Sequence, residues 1–241
     1  HVKKAFAEYT AAYNADDPKI KLKIDHTYRV AALCERIAKA AGMCAYDVEL
    51  AWLSGMLHDV GRFEQIKRYN TFSDADSVDH AKFGADLLFK DGLISTFLNG
   101  MVKCTGYKPG ALEDRYSSDG VFLYDRLNKS DMEMLELAIR CHNMYRIPKG
   151  LNSREQAFCN VLRDADKVDI FKVNIDTPLE EIYNTTTEEL MKSDITDEVL
   201  EAFDEEHCIL KAIRRTPADT VIGHVSLAYE LVYDESVRIT V

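Results

Sequence analysis

Nowhere in the 241 residues does an apolar run approach the roughly 20 residues that a membrane-spanning helix needs, so a soluble protein is expected. The first ten residues, HVKKAFAEYT, lack the long apolar core of a secretory signal, and no methionine opens the chain, as in a trimmed sequence. Proline is scarce, at 5 residues. No internal repeat, low-complexity tract or Pro/Gly/Ser linker divides the chain, so one domain is expected. None of the six cysteines, Cys34, Cys44, Cys104, Cys141, Cys159 and Cys208, sits in a C-x-x-C pair. At this length and spacing the plainer reading is reduced, mostly buried thiols in a cytoplasmic protein. Positive charge is also short, with a formal net charge of −11. That excludes bulk electrostatic binding to a nucleic acid polymer, which needs a basic stripe. It leaves room for a small anionic substrate, because a bound metal can outweigh neighbouring carboxylates locally. No membrane partner is expected, and the sequence carries no signal of oligomeric state.

What is present is helical periodicity over an ordinary globular composition, 46% hydrophobic and 29% charged. Val2, Phe6, Tyr9 and Tyr13 fall at helical spacing. Asp17-Pro18 reads as an N-cap with proline in the first helical position, opening a helix that stops near Gly42. Its apolar stripe is Leu22, His26, Val30, Leu33 and Ile37, which places His26 on the buried face. A third helix is expected from about Asp47 through Leu50, Leu53, Met56 and Leu57 into His58-Asp59, ending near Gly61. Residues 66–79 read as a polar loop that delivers His80 to a helix over 80–90, and residues 100–120 as an exposed insertion. Asp131 opens a helix carrying Leu135, Ile139 and His142 in register. Ser153 to Gln156 has a capping-box pattern that starts another, on which Phe158, Leu162 and Asp166 share a face. Two further helices are expected over 187–206 and 217–233. The fold class is all-α, with a core over about 20–170 and a C-terminal helical extension over about 175–241.

The chemistry lies in where polar groups fall on those helices. A histidine or carboxylate on an apolar face is costly unless it is hydrogen-bonded, paired or ligated. Each alone has a plain structural explanation: a core histidine, a common His-Asp dipeptide, an ion pair of Asp166 with Arg163 or Lys167. Together, His26, His58-Asp59, His142 and Asp166 aim polar groups inward from four elements, as if those groups meet.

The segments that carry them are Ile24-Asp25-His26-Thr27, Leu57-His58-Asp59-Val60-Gly61-Arg62, Asp79-His80-Ala81 with Gly84-Ala85, Ile139-Arg140-Cys141-His142, and Arg163 through Asp169. In this order they resemble the HD-domain metal-dependent phosphohydrolases. The resemblance implies that His26, His58, Asp59 and Asp166 hold a primary metal. It implies that His80 and His142 either bind a second ion, with Asp59 shared between the two, or face the substrate. Asp59, Arg62, His80 and His142 would be the catalytic set. Arg62 falls where relatives place a basic residue that grips an anionic group, and Lys67 and Lys167 are further candidates for substrate contact. For Lys67, Arg68, Tyr69 and Thr71 a solvated loop is the plainer reading, and for Lys167 a surface ion pair.

Imidazole ligands favour a transition ion (Mn, Fe, Co, Ni or Zn), one or two per site, over Mg, which prefers oxygen shells. Such an ion polarises a phosphoryl oxygen and brings the pKa of bound water towards neutrality. The expected activity is cleavage of a phosphoester in a nucleotide or small phosphorylated metabolite. Two other classes fit the same ligand order: a mixed-valent di-iron oxygenase, and a non-enzymatic nucleotide-binding regulatory domain. After His142 the chain reads Asn143-Met144-Tyr145, without the adjacent histidine and Gly-Tyr-Pro motif of the cyclic-dinucleotide phosphodiesterases. The patterns of alarmone hydrolases and large dNTP triphosphohydrolases are not evident either.

Overall fold

Every regular element among the described residues is helical. The computed structural model describes residues 1–14, 16–102, 127–180 and 185–241. Their contacts group into two units, His1–Tyr28 with Met56–Cys141, and Arg29–Gly55 with His142–Val241. No helix among the described residues is long and apolar enough to cross a membrane.

The first unit contains α1 (Val2–Thr10), the start of α2 (Pro18–Ala40), α4 (Val60–Tyr69), α5 (His80–Ala85), α6 (Ile94–Val102) and α7 (Lys129–Cys141). A π-helical turn, Asp86–Lys90, prolongs α5. The apolar spacing of α1 places Phe6 edge-on against Phe63, with centroids 5.9 Å apart, and against Tyr28 at 5.5 Å. α2 starts where Asp17-Pro18 predicts, with Asp17 Oδ1 accepting from the Lys19 amide at 2.8 Å. It ends two residues before Gly42, whose φ of +73° is left-handed.

The helix expected from Asp47 to Gly61 is two helices. α3 (Ala45–Leu57) stops before His58, and α4 begins at Val60. Asp59 stands at the N-cap of α4 but its side chain makes no cap hydrogen bond, because the carboxylate is turned to the side chains described below. The loop expected over 66–79 begins only at Asn70, where a left-handed φ of 53° ends α4. Phe63 and Ile66, both buried, carry the apolar face of that helix past the expected end at Gly61.

Gly61 and Gly84 explain how α4 and α5 can meet. A Cβ on Gly61 would lie 2.7 Å from the Gly84 nitrogen, and one on Gly84 would lie 2.9 Å from the Gly61 nitrogen. The two backbones touch, and any side chain there must push His80 away from His58-Asp59. Farther along, Asn128 and Asp131 cap α7 reciprocally, so this helix starts two residues before Asp131. The insertion read over 100–120 lies, from residue 103 onwards, outside the described residues, as does Cys104.

The second unit is built on α8 (Ser153–Asp176) with the rest of α2 and most of α3. Its cap is Asn152, one residue before the expected Ser153. The Asn152 side chain accepts from the Arg154 and Glu155 amides, and Glu155 reaches back to the Asn152 amide. The helix expected over 187–206 is broken into α9 (Thr187–Met191) and α10 (Asp197–Asp204), and Thr196 stands at the N-cap of α10. Buried Asp219 takes the Thr196 amide at 2.8 Å and those of Arg215 and Thr216, fixing the break. α11 (Pro217–Val225) runs into a 3-10 turn ending at Glu230, followed by α12 (Asp234–Thr240).

His224 on α11 lies with Nδ1 3.2 Å from Asn174 Oδ1, and burial, aided by the charges of Arg214 and Lys211, holds its pKa down to about 4. The unfolded chain, with a histidine near about 6.5, therefore takes up a proton first as pH falls. Stability from this group is full above that value and declines towards pH 4 by up to about 1.4 kcal/mol per pH unit. Denaturant melts of wild type and His224→Asn between pH 7.5 and 5 should diverge, with the variant losing less stability on acidification.

Candidate metal centre

Three elements of the first unit deliver the histidines and the carboxylate. His26 lies on the inward face of α2, His58 and Asp59 form the turn between α3 and α4, and His80 is the first residue of α5. All four residues are at least 95% buried, so their polar atoms must be answered locally.

They answer one another. His26 Nε2 and His58 Nε2 are 3.3 Å apart, and Asp59 Oδ2 lies 3.5 Å from the first and 3.6 Å from the second. Ligands bonded at roughly 2.0–2.2 Å to one ion stand about 3.0–3.6 Å from each other, so this triangle has the edge length of a coordination face. Its two imidazoles and one carboxylate suit a divalent transition ion. The other oxygen, Asp59 Oδ1, faces His80 Nε2 at 3.5 Å, so the carboxylate divides its oxygens between two sets of histidine nitrogens.

Cations surround the same carboxylate. Lys23 Nζ stands 2.7 Å from Asp59 Oδ2, and Arg62 Nε stands 3.8 Å from Oδ1. Burial pushes the Asp59 carboxyl up, but the charges of Lys23, His58, His80 and Arg62 together hold it well below the usual range. Asp59 is thus an anion in the interior. Sequence reasoning missed Lys23, although it sits one helical turn before His26 and shares its face.

Arg62, expected to grip substrate, is anchored through Nη1 to Gln65 Oε1 at 2.8 Å, the Phe72 carbonyl at 2.6 Å and Asp74 Oδ1 at 2.8 Å. His80 Nδ1 is 2.7 Å from Asp74 Oδ2. Neither Asp74 nor Gln65 was singled out in the sequence: Asp74 falls in the segment read as a polar loop, and Gln65 lies just before it. Lys67 is exposed near the end of α4, 3.6 Å from Glu64 and beside the Tyr13 ring.

The remaining candidates lie in the second unit. His142 follows α7 directly and is buried, and its carbonyl accepts from Arg163 Nη1 at 3.4 Å. Arg163 also donates to the Met144 carbonyl. Asp166 is on α8, partly exposed, and its negative charge is the second cause, after burial, of the raised pKa of the Cys34 thiol. The other aspartate of the pair, Asp164, is fully buried and accepts from the Val232 and Tyr233 amides at 2.9 and 3.0 Å. It ties the C-terminal segment to α8. Lys167 is buried with Nζ 3.2 Å from Glu230, a partner it shares with Arg163.

A family model described as HD domain matches residues 24–239. The chain belongs to the HD-domain family. The match takes in all six ligand candidates of the HD pattern and continues beyond the motif segments into the C-terminal helices. Searches of curated proteins and of solved structures return no match. For an HD domain the buried His26–His58–Asp59 triangle is a fitting place for a divalent ion.

Replacing Asp59 with Asn should leave the helical content intact and weaken Mn²⁺ binding by more than about 100-fold, since even the loss of a residue behind a ligand costs 10–100-fold. Calorimetric titration of the purified protein measures this, and unchanged affinity would show that the ion binds elsewhere.

Proposed function

We propose that this HD domain is a metal-dependent phosphohydrolase that cleaves a phosphoester of a nucleotide or another small phosphorylated metabolite. The observation that carries the reading is the buried convergence of His26, His58 and Asp59, with His80 on the second oxygen of the same carboxylate. His26, His58 and Asp59 hold the ion, with Asp166 as the fourth member of the family pattern. A divalent transition ion bound there supplies a nucleophilic water near neutral pH and polarises the phosphoryl oxygen.

The chain's own residues do the rest. Lys23 and Arg62, with His58 and His80 when these are charged, outweigh the burial of Asp59 and favour its carboxylate form, the form that binds a metal. By the family pattern, His80 and His142 would act either on the substrate phosphate or as ligands of a second ion. Arg62 and Lys23 place positive charge beside Asp59, where a phosphate dianion brings excess negative charge. The overall charge of −11 disfavours a polyanionic polymer and favours a small substrate drawn in by local cations.

Protein loaded with Mn²⁺, Co²⁺ or Ni²⁺ should release phosphate from at least one member of a panel of nucleotides and sugar phosphates. The Asp59→Asn variant should be at least about 1,000-fold slower, the order of loss when a residue essential to the reaction is removed. Metal-saturated wild type that is inert across the panel, with all three ions, would overturn the assignment.

A further inference from the structure

Residues 70–79 look like a solvated loop, yet they are fastened from beneath by a buried side chain. Gln65, fully buried on α4, donates through Nε2 to Asp74 Oδ1 at 3.0 Å, Ser77 Oγ at 2.9 Å and the Val78 carbonyl at 3.0 Å. Ser77 Oγ in turn donates to the Ser73 carbonyl at 2.7 Å. Phe72 packs beside the cationic groups of Arg62 and Lys23, at 5.7 and 5.9 Å from its ring centroid. These ties hold the Asp74 carboxylate in one place, with Oδ1 on Arg62 Nη1 and Oδ2 on His80 Nδ1.

We propose that Asp74 is a positioning residue for the metal centre, fixing the tautomer of His80 and the placement of Arg62 with one carboxylate. A neutral imidazole carries one N–H and one lone pair, and either nitrogen of His80 has a carboxylate to donate to. Asp74 is 2.7 Å from Nδ1, whereas Asp59 is 3.5 Å from Nε2. The shorter, charge-assisted bond wins the proton. The Nε2 lone pair is then aimed at the Asp59 side, where it can serve as a ligand or accept a proton from a bound reactant. Through Oδ1 the same carboxylate keeps Arg62 beside Asp59.

The Asp74, Asp79 and His80 group also meets the distance requirement for a cation site of its own. Its carboxylates are otherwise engaged: Asp74 by Arg62, Gln65 and His80, and Asp79 by the Lys82 amide at the start of α5. That engagement favours a positioning role over a separate ion.

The inference rests on the metal-centre reading above, and its test separates the two. The 241-residue protein labelled with ¹⁵N-histidine is examined without metal at a pH where the imidazoles are neutral, and Co²⁺ affinity is then titrated. Wild type should show His80 as the Nδ1–H tautomer. Asp74→Ala should shift it towards Nε2–H and weaken Co²⁺ binding about 10–100-fold, and Asp74→Glu should recover part of both. If Asp74→Ala does not fold, Asp74→Leu, which also removes the acceptor, carries the same two readouts. A His80 that remains Nδ1–H without the carboxylate overturns the proposal, whatever the affinity does. Wild type that takes up no Co²⁺ overturns the metal centre instead, and the tautomer signals still decide the role of Asp74.

Discussion

A carboxylate buried as deeply as Asp59 costs several kcal/mol to keep ionised unless charge is returned to it. The first unit returns that charge from several sides. Lys23 comes from α2, Arg62 from the first turn of α4, and His26, His58 and His80 from α2, the α3–α4 turn and α5. The division of labour between the oxygens follows from this crowding: Oδ2 meets Lys23, His26 and His58, while Oδ1 meets His80 and Arg62. The polar interior of this unit is therefore organised around one residue that does not perform the N-capping role its position offers.

The backbone is shaped to allow it. Ending α3 at Leu57 and restarting at Val60 turns His58 and Asp59 inward together, which a continuous helix, rotating 100° per residue, could not do. The approach of Gly61 to Gly84 brings the first turn of α5 against that break, and with it His80. The loop between α4 and α5 is then short enough to be held by Gln65 and Asp74. Local sequence, helix packing and site chemistry agree at these positions, and that agreement is what makes an HD domain more than a dipeptide match.

Much of this was legible from residue order alone. His26 could be placed because it interrupts the apolar stripe of a long helix, and it is buried on that stripe. The α3–α4 break was not legible, since Leu53, Met56, Leu57 and Val60 keep helical spacing straight through it. Lys23, Gln65 and Asp74 were missed for a different reason: a polar residue in a polar neighbourhood carries no sign of burial until a tertiary partner is known. The caps of α7 and α8 lie three residues and one residue earlier than expected, because Asn128 and Asn152 cap as well as Asp131 and Ser153. The C-terminal helices were blurred because buried Asp219 sets the break before α10 from 23 residues away.

The central claim is that the His26, His58 and Asp59 triangle is a metal site. Anomalous diffraction from crystals equilibrated with Mn²⁺ tests it directly. A strong peak is expected about 2.0–2.3 Å from His26 Nε2, His58 Nε2 and Asp59 Oδ2, in the range of bonds from such ligands to a divalent ion. A fully soaked crystal with no peak there, or with manganese only on surface carboxylates, would contradict it.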